Sequence, residues 1–183
     1  MDKAVGIAEF QSIAKGIAML DTMTKRSNVR IIENKIVCSG KFFVVVAGEV
    51  ADVEAAIGLL EDLPESELVG AQVISRLEDG VIDKINSKID RDSITAIGVI
   101  ETRNVYSGLY GANFIKKSSD VDILTIALTF GLGGKSLVVF TGDIASVRNG
   151  IEAAKANLED PEDIVFDGAM ASPSREVVEN LFR

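Results

Sequence analysis

The chain has 183 residues, 47% of them apolar and only 5% aromatic, with a formal charge of −9, no histidine and one cysteine. The acidic balance speaks against a nucleic-acid partner, which needs clustered lysine and arginine to displace counterions. Lack of histidine removes the Ser–His and Cys–His pairs and His-ligated zinc, and one cysteine cannot close an intrachain disulfide.

Taken in chain order, Ala4–Phe10 reads as a strand. Ser12 is then an N-cap, and Ile13, Ile17 and Leu20 come next at helical spacing, to a helix end near Lys25. Strands are predicted at Val29–Val37 and Phe42–Gly48, joined through Cys38-Ser39-Gly40, where glycine supplies hairpin backbone angles. A second helix, capped by Asp52, places Val53, Ile57 and Leu60 on one stripe. A last strand, Val69–Ser75, leads to a short helix ending at Ile85.

The second half repeats this order. The expected elements are strand Thr95–Glu101, a helix capped by Asn104 and ending near Lys117, and strands Val121–Leu128 and Lys135–Gly142. A helix capped by Ser146, strand Ile164–Met170 and a helix ending at Leu181 complete it. The sequences themselves match: Ala4-Val5-Gly6-Ile7-Ala8-Glu9 returns at an offset of 92 as Ala96-Ile97-Gly98-Val99-Ile100-Glu101. Gly40-Lys41 returns at 94 as Gly134-Lys135, and Val81-Ile82-Asp83 at 96 as Val177-Val178-Glu179. This is one domain duplicated in tandem, 1–90 and 91–183, rather than a solenoid of short repeats. The fold class is α+β: two ferredoxin-like βαββαβ units, each with helices on one face of a mainly antiparallel four-stranded sheet.

No basic-then-apolar signal opens the chain, and its longest strongly apolar run, Phe42 to Ala47, is too short to cross a bilayer. A cytoplasmic protein without membrane partners is expected.

The opening Gly-x-x-Glu strand in both halves and the helix end Asp21-Thr22-Met23-Thr24-Lys25-Arg26-Ser27-Asn28-Val29 resemble the bacterial microcompartment shell family. So do Ala47-Gly48-Glu49-Val50 and Thr141-Gly142-Asp143-Ile144. In that family single-domain proteins form hexagonal tiles, and tandem-domain proteins form trimers that imitate them. Tiles meet edge to edge in a shell around metabolic enzymes. The resemblance therefore implies a non-enzymatic homotrimer in a cytoplasmic microcompartment shell, with other shell proteins along its edges and an enclosed redox enzyme as a further partner.

The family's pore-lining loops correspond to Cys38, Ser39 and Gly40 in the first half and to Phe130, Gly131, Leu132, Gly133 and Gly134 in the second. A lone cysteine is ordinarily a small buried hydrophobe. The resemblance extends to tandem members that carry an iron–sulfur cluster at the pore on a Cys-Pro-Gly-Lys loop; this chain reads Cys38-Ser39-Gly40-Lys41. It implies one [4Fe–4S] cluster per trimer on the three-fold axis, held by three Cys38 thiolates, for electron transfer or cluster transport. A metal-free tile passing a small polar metabolite is the alternative. An enzyme using Cys38 as nucleophile is disfavoured without histidine, and no catalytic residue is assigned. Lys25, Lys117 and Arg76 are expected at the tile edge. Glu9 and Glu101, with no metal motif beside them, read as buried-face pairing or subunit contact rather than as an acid–base pair.

Overall fold

The computed structural model describes residues 4–37, 40–128 and 133–180. Two compact units divide the chain. The first holds the residues up to Leu77 together with Asn104–Tyr106; the second holds Glu78–Arg103 and most of the remaining chain.

In the first unit the order is β1 (Ala4–Phe10), α1 (Ile13–Arg26), β2 (Arg30–Val37), β3 (Lys41–Gly48), α2 (Val50–Gly58) and β4 (Leu68–Ile74). The four strands form an antiparallel sheet in the order β2-β3-β1-β4. The alternation of strand side chains sends Ala8, Phe10, Phe42, Val44 and Val46 to the helix-covered face, where they meet Leu20, Met23, Ala56 and Leu60. The stripe that α1 turns inward is Gly16, Leu20 and Met23, so the expected Ile17 points outward instead. The reason is steric. A Cβ at Gly16 would stand 2.6 Å from Phe42 Cδ1 and 3.0 Å from Phe10 Cδ2, and the bare backbone lets these two rings seat against the helix.

The second unit repeats the plan with β5 (Ala96–Thr102), β6 (Val121–Ala127), β7 (Ser136–Gly142) and β8 (Ile164–Met170) in the order β6-β7-β5-β8. Helices α3 (Val105–Ser118) and α4 (Ile144–Asn157) bury Leu109, Ala112 and Ile115, and Val147, Ile151 and Ala154. Even the irregularities recur: register shifts at Glu9/Phe10 and Ile31/Glu33 reappear at Glu101/Thr102 and Ile123/Thr125. The α+β reading with four-stranded antiparallel sheets holds for both units.

Two local expectations change. The N-cap positions of α2 and α4 are Glu49 and Asp143, not Asp52 and Ser146, because each helix starts a few residues earlier. Asp143 accepts bonds from the amides of Ala145 and Ser146 at 2.9 and 3.0 Å, while the Ser146 hydroxyl donates to the same carboxylate. These bonds hold the exposed Asp143 carboxyl below its ordinary value. The terminal helices also differ. After β4 only a 3-10 turn forms at Ile82–Lys84, whereas after β8 a helix, α5, spans Arg175–Asn180. In the first case the chain lies along β6: Ile85 bridges Ile126, and the Asn86 amide donates to the Ile126 carbonyl at 2.9 Å. That strand-like pairing competes with further helix.

A candidate pore loop anchored by the motif glutamates

Cys38, Ser39, Phe130, Gly131 and Leu132, expected at the pore, lie outside the described residues. What the structure places is the stem of each loop. In the first unit Val37 is buried, Gly40 takes a left-handed φ of +75°, and Lys41 opens β3. In the second repeat, Leu128 is buried, Gly133 and Gly134 have φ of +63° and +87°, and Lys135 precedes β7. A φ in this region favours glycine, which explains why glycine closes both loops.

Each stem is tied down by the glutamate of the Gly-x-x-Glu motif. Lys41 Nζ sits 3.1 Å from Glu9 Oε1, and Lys135 Nζ 2.8 Å from Glu101 Oε1. The glutamates stand on the strand next to β3 or β7, in register with Phe43 and Leu137. Sequence reasoning noted Gly-Lys returning at an offset of 94 but gave its lysine no role.

The two glutamates then differ. Glu9 is fully buried, and its Oε2 accepts from the amides of Val105 and Tyr106 at 2.7 and 3.3 Å. It therefore caps Val105 and Tyr106, which belong to the same compact unit as Glu9. Burial pushes the Glu9 carboxyl above its ordinary value, against the opposing pull of Lys41 and the two amides. Glu101 is partly exposed and bonds only Lys135 among the described residues. Each carboxylate thus pairs with the lysine that follows its loop.

The edge candidates are all at the surface. Lys25 lies in the last turn of α1 with Nζ 2.6 Å from Asp21, an i,i+4 pair. Lys117 lies over the Phe114 ring, 5.7 Å from its centroid. Its neighbour Lys116 turns the other way, to the Val121 carbonyl and Asp122. Arg76 is exposed two residues beyond β4.

As for metals, no group of three or more His, Cys, Asp or Glu side chains that could hold an ion occurs among the described residues. The candidate donor set is then Cys38, one thiol per chain. A single thiolate cannot hold a cluster; three thiolates around a three-fold axis suit a four-iron cluster with one iron left for an outside ligand. The residues fit the group only in an assembly of three chains. No helix among the described residues is long and apolar enough to cross a membrane.

Comparisons with known proteins agree with this architecture. The BMC domain family matches twice, over residues 4–77 and 96–172. The bacterial microcompartment shell protein PduT of Citrobacter freundii is 31% identical over 173 residues, covering 94% of both chains. Among solved structures, a microcompartment protein from Desulfitobacterium hafniense DCB superimposes with a TM-score of 0.79 at 29% identity, covering 96% of this chain and 98% of that one. A fused permuted hexameric shell protein of the RMM microcompartment shares the fold at a TM-score of 0.62 and 18% identity, covering 86% of this chain and 82% of its own. With two matched domains, the same strand order in each and a full-length relative, the chain belongs to the BMC-domain family and is a tandem-domain shell protein of a bacterial microcompartment.

Proposed function

We propose that three copies of this chain form one tile of a microcompartment shell and that Cys38 from each copy binds a single [4Fe–4S] cluster on the tile axis. The observation that carries this reading is where the repeats diverge. The loop after β2 contains Cys38 and the loop after β6 contains Phe130, while Gly-Lys is kept behind both. Duplication lets one loop change without the other, so three-fold symmetry would present a single kind of thiolate three times. When bound, such a cluster supplies one-electron exchange.

The chain's own residues fix the base of the loop. Glu9 fixes Lys41 at the loop's base, and Gly40 supplies the left-handed turn. The tile would pass electrons, or a cluster, between the cytoplasm and the shell interior, with a redox enzyme inside as partner. Other shell proteins would meet it along edges bearing Lys25, Lys117 and Arg76.

A tile without metal that passes a small polar metabolite is the second reading, favoured by the open turn at Gly133, where a Cβ would meet nothing within 4 Å. Anaerobic purification with iron and sulfide analysis separates the two. The cluster reading expects about four iron and four sulfide per three chains, falling to about background in Cys38→Ser. Colourless wild-type protein after anaerobic reconstitution, or an undiminished cluster in Cys38→Ser, contradicts it.

A further inference from the structure

The two glutamate–lysine ties occupy the same place in each repeat but are built to different strengths. The side chains of Glu9 and Lys41 are 0% and 16% exposed, against 34% for Glu101 and 41% for Lys135. A pair shielded from water keeps its attraction, whereas solvent and salt weaken an exposed one. Glu9 is also fixed from its other side, because its second oxygen is taken by the amides of Val105 and Tyr106. Glu101 has only Lys135 among the described residues.

The residues next in sequence widen the contrast. Glu9 and Lys41 are followed by Phe10 and Phe42, which pair across β1 and β3 and are both buried against α1 at Gly16. Glu101 and Lys135 are followed by Thr102 and Ser136, paired across β5 and β7 with their hydroxyls 2.8 Å apart. Two seated rings thus anchor the first tie, where the second has two small hydroxyls. Loop length follows the same division: residues 38–40 join β2 to β3, whereas residues 128–135 join β6 to β7. Cys38 stands in the shorter loop, three residues before the buried tie.

We infer that Glu9 is the positioning residue for the Cys38 thiol, acting through Lys41, and that Glu101 has no such part in the second loop. The role rests on the reading that Cys38 binds the cluster. A short loop with a fixed end restricts where its thiol can go, and three thiols already in place bind one cluster without further ordering. Glu9 also cancels the charge of Lys41, an ammonium three residues from the thiol that would otherwise favour the cluster's more negative, reduced state. The first repeat is therefore a mount, with its ion pair, its rings and its loop length all serving one thiol.

The full-length chain is tested in two forms, metal-free and reconstituted anaerobically. In the metal-free chain, alkylation of Cys38 by N-ethylmaleimide reads how firmly the thiol is held. Lys41→Gln cuts the tie yet leaves Glu9 on the amides of Val105 and Tyr106. It is expected to speed alkylation about fivefold or more, as is Glu9→Gln, where the unopposed ammonium also favours the thiolate. Glu101→Gln and Lys135→Gln are expected to stay within about twofold of wild type. In the reconstituted chain, Lys41→Gln and Glu9→Gln lose iron to a chelator about fivefold faster. Glu9→Gln raises the cluster's midpoint potential and Lys41→Gln does not, a difference that mere loosening of the loop would not produce. Far-ultraviolet circular dichroism identifies a variant that fails to fold, and Lys41→Gln decides the matter if Glu9→Gln does. Wild-type alkylation rates in Lys41→Gln, or an equal rise in Lys135→Gln, overturn the positioning role. A potential that moves alike in both first-repeat variants overturns the charge assigned to Glu9. Wild type that takes up no cluster contradicts the cluster reading, while alkylation still decides whether Glu9 holds the thiol.

Discussion

Replacing Glu9 with alanine is expected to destabilise the folded chain by about 3–5 kcal/mol, the range for breaking a buried ion pair from one side. The side chain is fully buried, and it serves Lys41 through one oxygen and the amides of Val105 and Tyr106 through the other. Alanine would leave the mostly buried Lys41 ammonium and two helix-start amides without their acceptor. Glu101→Ala removes a partly exposed pair and should cost about 0–1 kcal/mol in the unassembled chain. Denaturant unfolding of both variants at one fixed chain concentration makes the comparison. Equal losses at the two positions would contradict the assigned roles.

Glu9 also sets a pH dependence. Its carboxyl is raised in the folded chain, first by burial, so the folded state binds that proton more tightly than the unfolded state does. The resulting stability is fully present below the ordinary carboxyl value of 4.5 and is lost as pH rises through the folded value. Glu9→Gln does not titrate. The stability of wild type minus that of Glu9→Gln should therefore fall as pH rises above 4.5. A difference that grows over the same interval would reverse the sign and remove burial as the dominant cause.

The second large effect is at the other motif residue. A Cβ at Gly98 would collide with the Phe140 ring, which is fully buried and, being rigid, can yield only by turning as a whole. At Gly6 the nearest atoms are Cγ1 and Cδ1 of Ile57, at 2.7 and 2.8 Å, the far end of a half-buried side chain that can rotate. Gly98→Ala should thus cost about 2–3 kcal/mol and Gly6→Ala about 1 kcal/mol. Chemical denaturation reads both, and a larger loss at Gly6 would contradict the packing argument.

These two residues also mark what sequence can and cannot disclose. Gly-x-x-Glu revealed the duplication because a close approach and a buried carboxylate restrict residue type wherever the fold recurs. The succession of strands and helices along the chain came from periodicity and from the glycine-bearing turns. Periodicity could not say that Ile17 faces outward, because its spacing is as helical as that of Leu20, and the space made by Gly16 decides the face. Nor could it separate Ile17 from Leu109, which occupy the same place in each repeat and differ only in what covers them. The part of Glu9 at the start of α3 escaped for a related reason: this acceptor lies far away in the chain. Local reading offered Asn104, which is buried just before the first helical residue and has a partner of its own. Cys38 stood out by being unrepeated, a property of the sequence that owes nothing to geometry.

The central claim is that two inequivalent repeats in one chain build a three-fold tile. Electron-microscopy class averages of the purified full-length chain test it most directly. Closed rings of three chains, with six domains around the axis in alternating type, are the predicted result. Single chains, two-fold particles or open filaments at the same concentration would contradict it.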